Sequence, residues 1–345
     1  MGKTVIRRMA YATYLGVGTL AASECLLRVL VDSDPSYYVA FSDPAPGTVV
    51  SYPYGEIRYN QDGFADDDFE PVKSRPRVGY LGDSVCFGVG AGHGHRVSEL
   101  METAYPGYEH MNLTGGLGGG TLEVRDKALR FSERYDLDAI VYMLNLNDVR
   151  PTARRDSLKA LQTNPLFKAA EWFRGRSYLY TYVRQIAKDL RNPGGGPPAY
   201  ELFPSEHRSV IEETAGRVSE IGREMAARGV RFIVLIPPYE MQISDEAAAV
   251  YAQAGNTWED AFIDGATQDL LAEFITDCVV VDGLTGFIGP DRDPAARARY
   301  GVGEAFVYNL GERLDWNHPN RLGHRLLGEA LVASGALDGL GGAPD

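Results

Sequence analysis

Arg77-Val-Gly-Tyr-Leu-Gly-Asp-Ser-Val-Cys-Phe-Gly-Val-Gly90 follows directly on Pro76. Val78, Tyr80 and Leu81 read as a short strand bounded by turn signals. Gly82 and Asp83 break it, and Ser84 falls where strand gives way to turn. A hydroxyl there stands above the carboxyl end of a parallel sheet, where open α/β sheets hold their ligands. The competing reading is plain: Ser84 caps the next helix, since Ser and Asp both cap well. On this stretch alone the two readings balance. Asp315-Trp316-Asn317-His318-Pro319, far downstream, tips them.

Composition narrows the field first. The chain has 345 residues, room for one large or two ordinary domains, and 44% of them are hydrophobic, enough for a substantial core. A net charge of −13 speaks against nucleic acid as a partner, because phosphate binding needs a clustered basic face. Cys25, Cys86 and Cys278 lie far apart, without zinc-like spacing, and their odd number argues against a disulfide framework.

At the N-terminus, Lys3, Arg7 and Arg8 precede an uncharged run from Met9 to Ser23. The run is shorter than the roughly 20 residues of a spanning helix. It extends if Glu24 and Arg28 pair at i, i+4 on a helix that continues through Leu26, Leu27, Val29, Leu30 and Val31. Residues 1–31 are therefore expected to be an uncleaved membrane anchor, with membrane association through residues 9–31. A signal peptide cleaved after Ala21-Ala22-Ser23 is the alternative, and an amphipathic helix packed on the body is a third reading. If the run spans, the basic flank keeps that end cytoplasmic and puts the body outside.

Residues 32–75 form an extended lead-in rich in Pro, Tyr, Asp and Gly. Glu56 to Asn60 alternates like an edge strand, and Gln61-Asp62-Gly63 is a turn signal. Asp66-Asp67-Asp68 reads as a solvated turn rather than a metal site, since no Gly-spaced calcium loop follows.

Beyond Ser84, Gly88-Val89-Gly90-Ala91-Gly92 makes neither a GxGxxG fingerprint nor a Walker-type loop. Nor is this a G-x-S-x-G elbow, because Cys86 stands where the last Gly would be. A helix from about Arg96 to Tyr105 leads to a second strand, Tyr108 to Leu113, and then to the glycine loop from Thr114 to Thr121. Such a loop frees backbone N–H groups and suits an anion hole. A helix to about Tyr135 precedes Asp138 to Leu146, which is nearly continuously apolar as buried parallel strands are. It ends in Asn147-Asp148, where Asn147 can donate an amide hydrogen bond. Residues 151–204 look like an insertion, aromatic and basic around Leu166–Arg191, suited to a lid, an extra core layer, lipid or a long substrate. A helix from Ser205 to Gly229 leads to the fourth strand, Arg231 to Ile236. A helical region over 245–274, broken at Gly255 and Gly265, leads to the fifth, Cys278 to Asp282. Strand and helix alternate, which predicts a parallel sheet with helices on both faces.

Asp315 and His318 sit three apart before a last helix with Leu322, Leu326, Leu327 and Leu331. On a loop, that spacing lets a carboxylate hold one imidazole nitrogen while the other faces a hydroxyl, as a serine nucleophile needs. His324 is a rival base and Cys86 a rival nucleophile, but each is better placed for packing. With Gly82-Asp83-Ser84, the glycine loop and Asn147-Asp148, the order of motifs resembles that of the GDSL, or SGNH, hydrolase family. Gly82-Asp83-Ser84 resembles its first block, Asn112 to Thr121 its second, Leu146-Asn147-Asp148 its third and Asp315 to His318 its last. Asn145 departs from the family pattern, which has glycine there. The resemblance covers roughly residues 76–335.

The resemblance implies an α/β fold of the flavodoxin-like type, three layers α/β/α around a parallel five-stranded sheet. It implies Ser84, His318 and Asp315 as a catalytic triad without cofactor or metal. The oxyanion hole would come from the amides of Ser84 and Gly118, with Gly116 the alternative, and from the Asn147 side chain. The expected activity is cleavage of carboxylic esters, with short acyl groups on a sugar, glycan or lipid. Acetyl transfer to an exported polysaccharide and a non-catalytic glycan-binding role are the alternatives. An anchored, extracytoplasmic location is expected, or secretion after signal cleavage.

Overall fold

The computed structural model describes residues 3–30, 45–52, 54–114, 121–149, 151, 164–173, 176–191, 204–256, 258–307 and 315–340. Its centre is β3 (Arg77–Gly82), a six-residue strand buried along its whole length. The chain continues through α2 (Ser84–Phe87) and α3 (Val97–Ala104) to β4 (Glu109–Asn112), then through α4 (Thr121–Arg134) to β5 (Ala139–Met143). After the insertion, α7 (Pro204–Ala226) leads to β6 (Arg231–Ile236). Then α8 (Glu240–Ile243), α9 (Asp245–Gln253), α10 (Asp260–Ile263) and α11 (Ala266–Phe274) lead to β7 (Val279–Asp282), followed by α12 (Thr285–Ile288) and α13 (Arg321–Ala333). The five strands pair in the order β4-β3-β5-β6-β7, all parallel. The chain therefore reverses direction of sheet growth beside β3, and in such sheets the crevice at that reversal holds the ligand.

Strand alternation sorts the core into two layers. Ile140, Tyr142, Phe232, Val234 and Ile236 face a cluster that includes Val124 and Phe131 of α4 and Ala215 and Val218 of α7. Val78, Tyr80, Val141, Ile233 and Leu235 face the other cluster, with Val97 and Met101 of α3 and Leu327 and Leu331 of α13. That is the expected three-layer α/β/α architecture. Helices α3, α4, α7 and α13 each bury one apolar stripe, and each fully buried Leu, Ile or Phe contributes about 1.5–3 kcal/mol of transfer free energy. At the N-terminal edge of the sheet, buried Arg77 donates to Glu109 Oε2 at 2.6 Å, and its backbone N–H to Asp138 Oδ2 at 2.7 Å. One residue thus fixes the starts of three strands, and leaving Glu109 unpaired there would cost about 3–5 kcal/mol.

The lead-in is a hairpin, β1 (Val49–Tyr52) paired antiparallel with β2 (Gly55–Arg58), separate from the main sheet. The alternation over 56–60 was real, but its partner is local rather than the sheet edge. Asp66 corrects a second expectation. Only Asp67 and Asp68 are exposed, while Asp66 is buried. It accepts the Asn112 N–H at 2.6 Å, so it stitches the lead-in to the end of β4.

A third correction concerns α1 (Lys3–Leu30). It is 28 residues long, yet no helix among the described residues is long and apolar enough to cross a membrane. Length is not the deficit. Thr, Ser, Gly and Tyr dilute the apolar run, and Glu24 and Arg28 sit inside the stretch that had to stay uncharged. The Glu24–Arg28 pair does form, at 2.8 Å. Its carboxylate also serves the insertion, whose helices are α5 (Pro165–Phe173) and α6 (Tyr178–Arg191). Glu24 accepts the N–H groups of Tyr178 and Leu179 at 3.0 and 2.9 Å and the Ser177 hydroxyl at 2.8 Å. It caps α6 from another helix. Burial works against that charge, but the two backbone donors, Ser177 and Arg28 bring its pKa down to about 2.

Burial drives the Asp66 carboxyl the other way, up to about 7 despite Arg96 and the two backbone donors. The unfolded chain releases this proton near the ordinary carboxyl value, the folded chain only near neutrality. Between those values the folded state holds the extra proton, so this group's contribution to stability falls as pH rises from about 4 to about 7. Asp66→Asn is therefore expected to flatten the pH dependence over that interval relative to the parent. Urea midpoints measured at several pH values check this, and parallel curves for the two proteins would contradict it.

Candidate active site

Ser84 is the first residue of α2, but it is not the cap. Asp83 is, accepting the Val85 N–H at 2.9 Å. The capping role that competed for Ser84 falls to its neighbour, and the serine hydroxyl is directed elsewhere. Gly82 makes the turn feasible: a Cβ there would lie 2.6 Å from Cys86 Cβ and 3.0 Å from the Met143 carbonyl oxygen. α2 ends at Gly88 in the left-handed region, φ 82°.

The residues from the far end of the chain arrive beside it. His318 Nε2 lies 2.8 Å from Ser84 Oγ, and His318 Nδ1 lies 2.7 Å from Asp315 Oδ2. Asp315 Oδ1 accepts the N–H groups of Asn317 and His318 at 3.1 and 3.2 Å, so the loop folds around its own carboxylate. With Asp315 accepting, Nδ1 carries the proton and Nε2 presents a lone pair to the hydroxyl. Burial disfavours the imidazolium, but the Asp315 charge and hydrogen bond, with Asp83 nearby, outweigh it and raise the pKa above its ordinary value.

The loop is pinned from outside. The Val307 N–H donates to the His318 carbonyl at 2.9 Å and the Glu240 N–H to the Trp316 carbonyl at 2.9 Å. Asn320 caps α13 by accepting from Leu322 and Gly323, and donates to the carbonyls of Glu304 and Phe306. Gly90 meets it from the nucleophile side. A Cβ there would collide with the Pro319 carbonyl, so glycine alone lets the two segments approach this closely.

Asn147 also reaches the site. Its amide Nδ2 donates to Asp83 Oδ2 at 3.1 Å. Asp148 turns inward and accepts the Tyr142 hydroxyl at 3.0 Å. Gly118 and its alternative Gly116 lie outside the described residues. Thus Ser84, Asp315, His318 and Asn147 come together.

Three residues without an expected role prove central. Asn145 is 1% exposed. Its Nδ2 donates both to Asp83 Oδ2 at 2.9 Å and to Asn317 Oδ1 at 2.8 Å, linking the Ser84 turn to the imidazole loop. Asn112, fully buried, donates to the Cys86 carbonyl at 3.0 Å and accepts the Thr114 N–H at 3.1 Å, tying α2 to the start of the glycine loop. Asp83 collects three donors. A signal for Asn145 was present in the departure from glycine at a strand end, but nothing local named its partners.

Cys86 and His324 are both packed inside. Burial pushes the Cys86 thiol up to about 12, so it is no thiolate at neutral pH. His324 is buried in α13, its Nδ1 accepts the Val97 N–H at 3.3 Å, and burial lowers its pKa to about 3.

No family model matches the chain, and no curated protein matches it. Solved structures do. One is a protein described as lipolytic, of the G-D-S-L family, from Desulfitobacterium hafniense, 10% identical, covering 75% of this chain and 99% of its own, TM-score 0.37. Another is a catalytic mutant of an acetylxylan esterase from Geobacillus stearothermophilus, 14% identical, covering 77% and 96%, TM-score 0.40. A third is a psychrotrophic esterase from Pseudoalteromonas, 11% identical, covering 75% and 96%, TM-score 0.35. The chain is similar to solved structures of GDSL-family and esterase proteins.

Proposed function

We propose that the chain is a serine hydrolase of carboxylic esters. The supporting observation is the unbroken relay from Asp315 through His318 to Ser84, with contacts of 2.7 and 2.8 Å. Ser84 Oγ attacks the ester carbonyl while His318 Nε2 takes its proton. The tetrahedral intermediate collapses, the carbon–alkoxide bond breaks, and His318 returns the proton to the leaving alcohol. Water then repeats the cycle on the acyl-enzyme. The amides of Ser84 and Gly118 and the side chain of Asn147 are the proposed oxyanion donors, each worth about 2.7–4 kcal/mol of barrier in such sites. Short acyl groups on a sugar, glycan or lipid are the proposed substrate class.

Ser84→Ala is expected to abolish hydrolysis of p-nitrophenyl acetate while leaving the unfolding midpoint within experimental error of the parent. Retained turnover would remove the serine mechanism. Burst kinetics with the parent chain, and a mass increase of one acyl group on Ser84, test the covalent step directly.

The raised pKa of His318 sets the pH profile. The base works only when neutral, so kcat/KM should rise with pH through a midpoint above 6.5. Asp315→Asn removes the charge that raises it, so the midpoint should fall and kcat should drop by orders of magnitude. An unmoved midpoint would separate Asp315 from the histidine.

Asn145 acts through others. Asn145→Ala removes donors from a buried carboxylate and should cost about 1.5–3 kcal/mol in urea unfolding. It should lower kcat with little change in KM, because it loosens the relation between Ser84 and His318 rather than the substrate pocket. A loss of stability with kcat intact would mark it as structural only.

A further inference from the structure

Far from the relay in chemistry stand α1, α5 and α6. The whole chain has 47 acidic and 34 basic residues, yet α1 holds Lys3, Arg7, Arg8 and Arg28 against Glu24 alone. Residues 164–191 hold six basic residues against two acidic ones. Glu24 is itself occupied by Ser177, the start of α6 and Arg28, so the one acid of α1 faces inward. Among the described residues, no carboxylate pairs with Arg7, Arg8 or Lys168. These helices therefore carry a local excess of basic residues in an otherwise acidic chain, with Arg7, Arg8, Lys168 and Arg176 exposed.

The same helices carry apolar side chains in the open. Every residue from Ala10 to Ala22 of α1 is exposed, and a Cβ added at Gly16 or Gly18 would touch nothing. Tyr14 is 74% exposed, Leu166 79% and Trp172 56%. Aromatic residues with polar tips, interleaved with Arg and Lys, suit the boundary between headgroups and acyl chains. Between the three helices lies an apolar cleft of about 750 Å³ lined by Leu20, Trp172, Phe173, Leu179, Tyr180 and Val183. Arg28, Arg176, Glu24 and Ser177 also line it.

We infer that this three-helix cluster docks on the surface of a bilayer containing anionic phospholipid, its helices lying in the interface and the cleft taking one acyl chain. Three facts favour that occupant over a protein. The charge is opposite to that of phosphatidylglycerol or phosphatidylserine headgroups. In α1, exposed Arg7 and Arg8 stand directly before an exposed uncharged run, Ala10 to Ala22, so basic and apolar surface adjoin on one element. The cleft is open and mostly apolar, with the Arg176 guanidinium and the Arg28–Glu24 pair beside it, which matches an acyl chain below a phosphate. This docking is independent of the ester chemistry.

The test uses the full chain with vesicles of phosphatidylcholine alone or with phosphatidylglycerol added. Binding is expected only with the anionic lipid and should weaken with salt, since the exposed charges are screened. Acyl-chain-brominated lipid should quench a fluorescence component that Trp172→Phe removes, leaving Trp258 and Trp316 unquenched. The combined variant R7E/R8E/K168E should bind on the order of 100-fold more weakly, with an unchanged far-UV circular dichroism spectrum. Equal binding to both vesicle types, retention in the membrane through alkaline carbonate, or absence of quenching would each overturn the proposal. So would a stable dimer buried through these helices in lipid-free solution. The quenching measurement needs no charge variant, so it decides even if that variant misfolds.

Discussion

The site depends on one buried carboxylate, that of Asp83. It is 4% exposed, and a charge at that depth persists only where donors replace the water it has lost. Three do: the Val85 N–H and the side-chain amides of Asn145 and Asn147. These donors come from two strand ends, β3 and β5, whose separation is fixed by the register Gly82↔Met143. Asn145 then passes the constraint to Asn317 in the imidazole loop. Asp83 is the node where sheet register is converted into side-chain position, and its charge also helps keep His318 basic.

That constraint explains why Ser84 can sit on so short an element. α2 has four residues, too few to stabilise itself through propagation of helical hydrogen bonds. It is held at its first turn by Asp83 and through its carbonyls by Asn112. Its buried residues Val85, Cys86 and Phe87 complete the anchoring from three sides. The serine is the one member of the helix left partly open, and its hydroxyl meets the imidazole. Cys86 belongs to this packing, which is why burial silences the thiol rather than activating it.

Much of this was legible in the sequence, for identifiable reasons. Arg231 to Ile236, apolar after its first residue, could be bounded to the residue and the others to within one or two, with β5 shorter than its apolar run and β4 read despite its polar Glu109, His110 and Asn112. Gly255 and Gly265, both with positive φ, divided the 245–274 helical region where expected. The contact between Asp315 and His318 was legible because Asp and His three apart carry their geometry with them. What was not legible depends on partners distant in the chain. The roles of Asn145 and Asn112 exist only once β3, β4 and β5 are side by side. Asp66 looked solvated because nothing in Asp66-Asp67-Asp68 announces a backbone N–H of Asn112 waiting above it. The same holds for Glu24: it looked like half of a local ion pair, whereas three of its four hydrogen bonds reach the insertion.

The distances in the relay follow from close approach between segments that share no strand. Phe306 bridges Pro319, and the guanidinium Nε of Arg321 donates to the Ala91 carbonyl at 3.2 Å. The loop bearing His318 is thereby clamped between residues 305–307 on one side and the turn after α2 on the other. Gly90 sits at the contact, where even a methyl group would push against the Pro319 carbonyl and lengthen the path from imidazole to hydroxyl. An imidazole held only by its own carboxylate could swing; this one is held by its backbone on both flanks, so the carboxylate of Asp315 is left to set the tautomer. Position comes from packing and polarity from the acid, and because different residues supply them, each can be altered without the other.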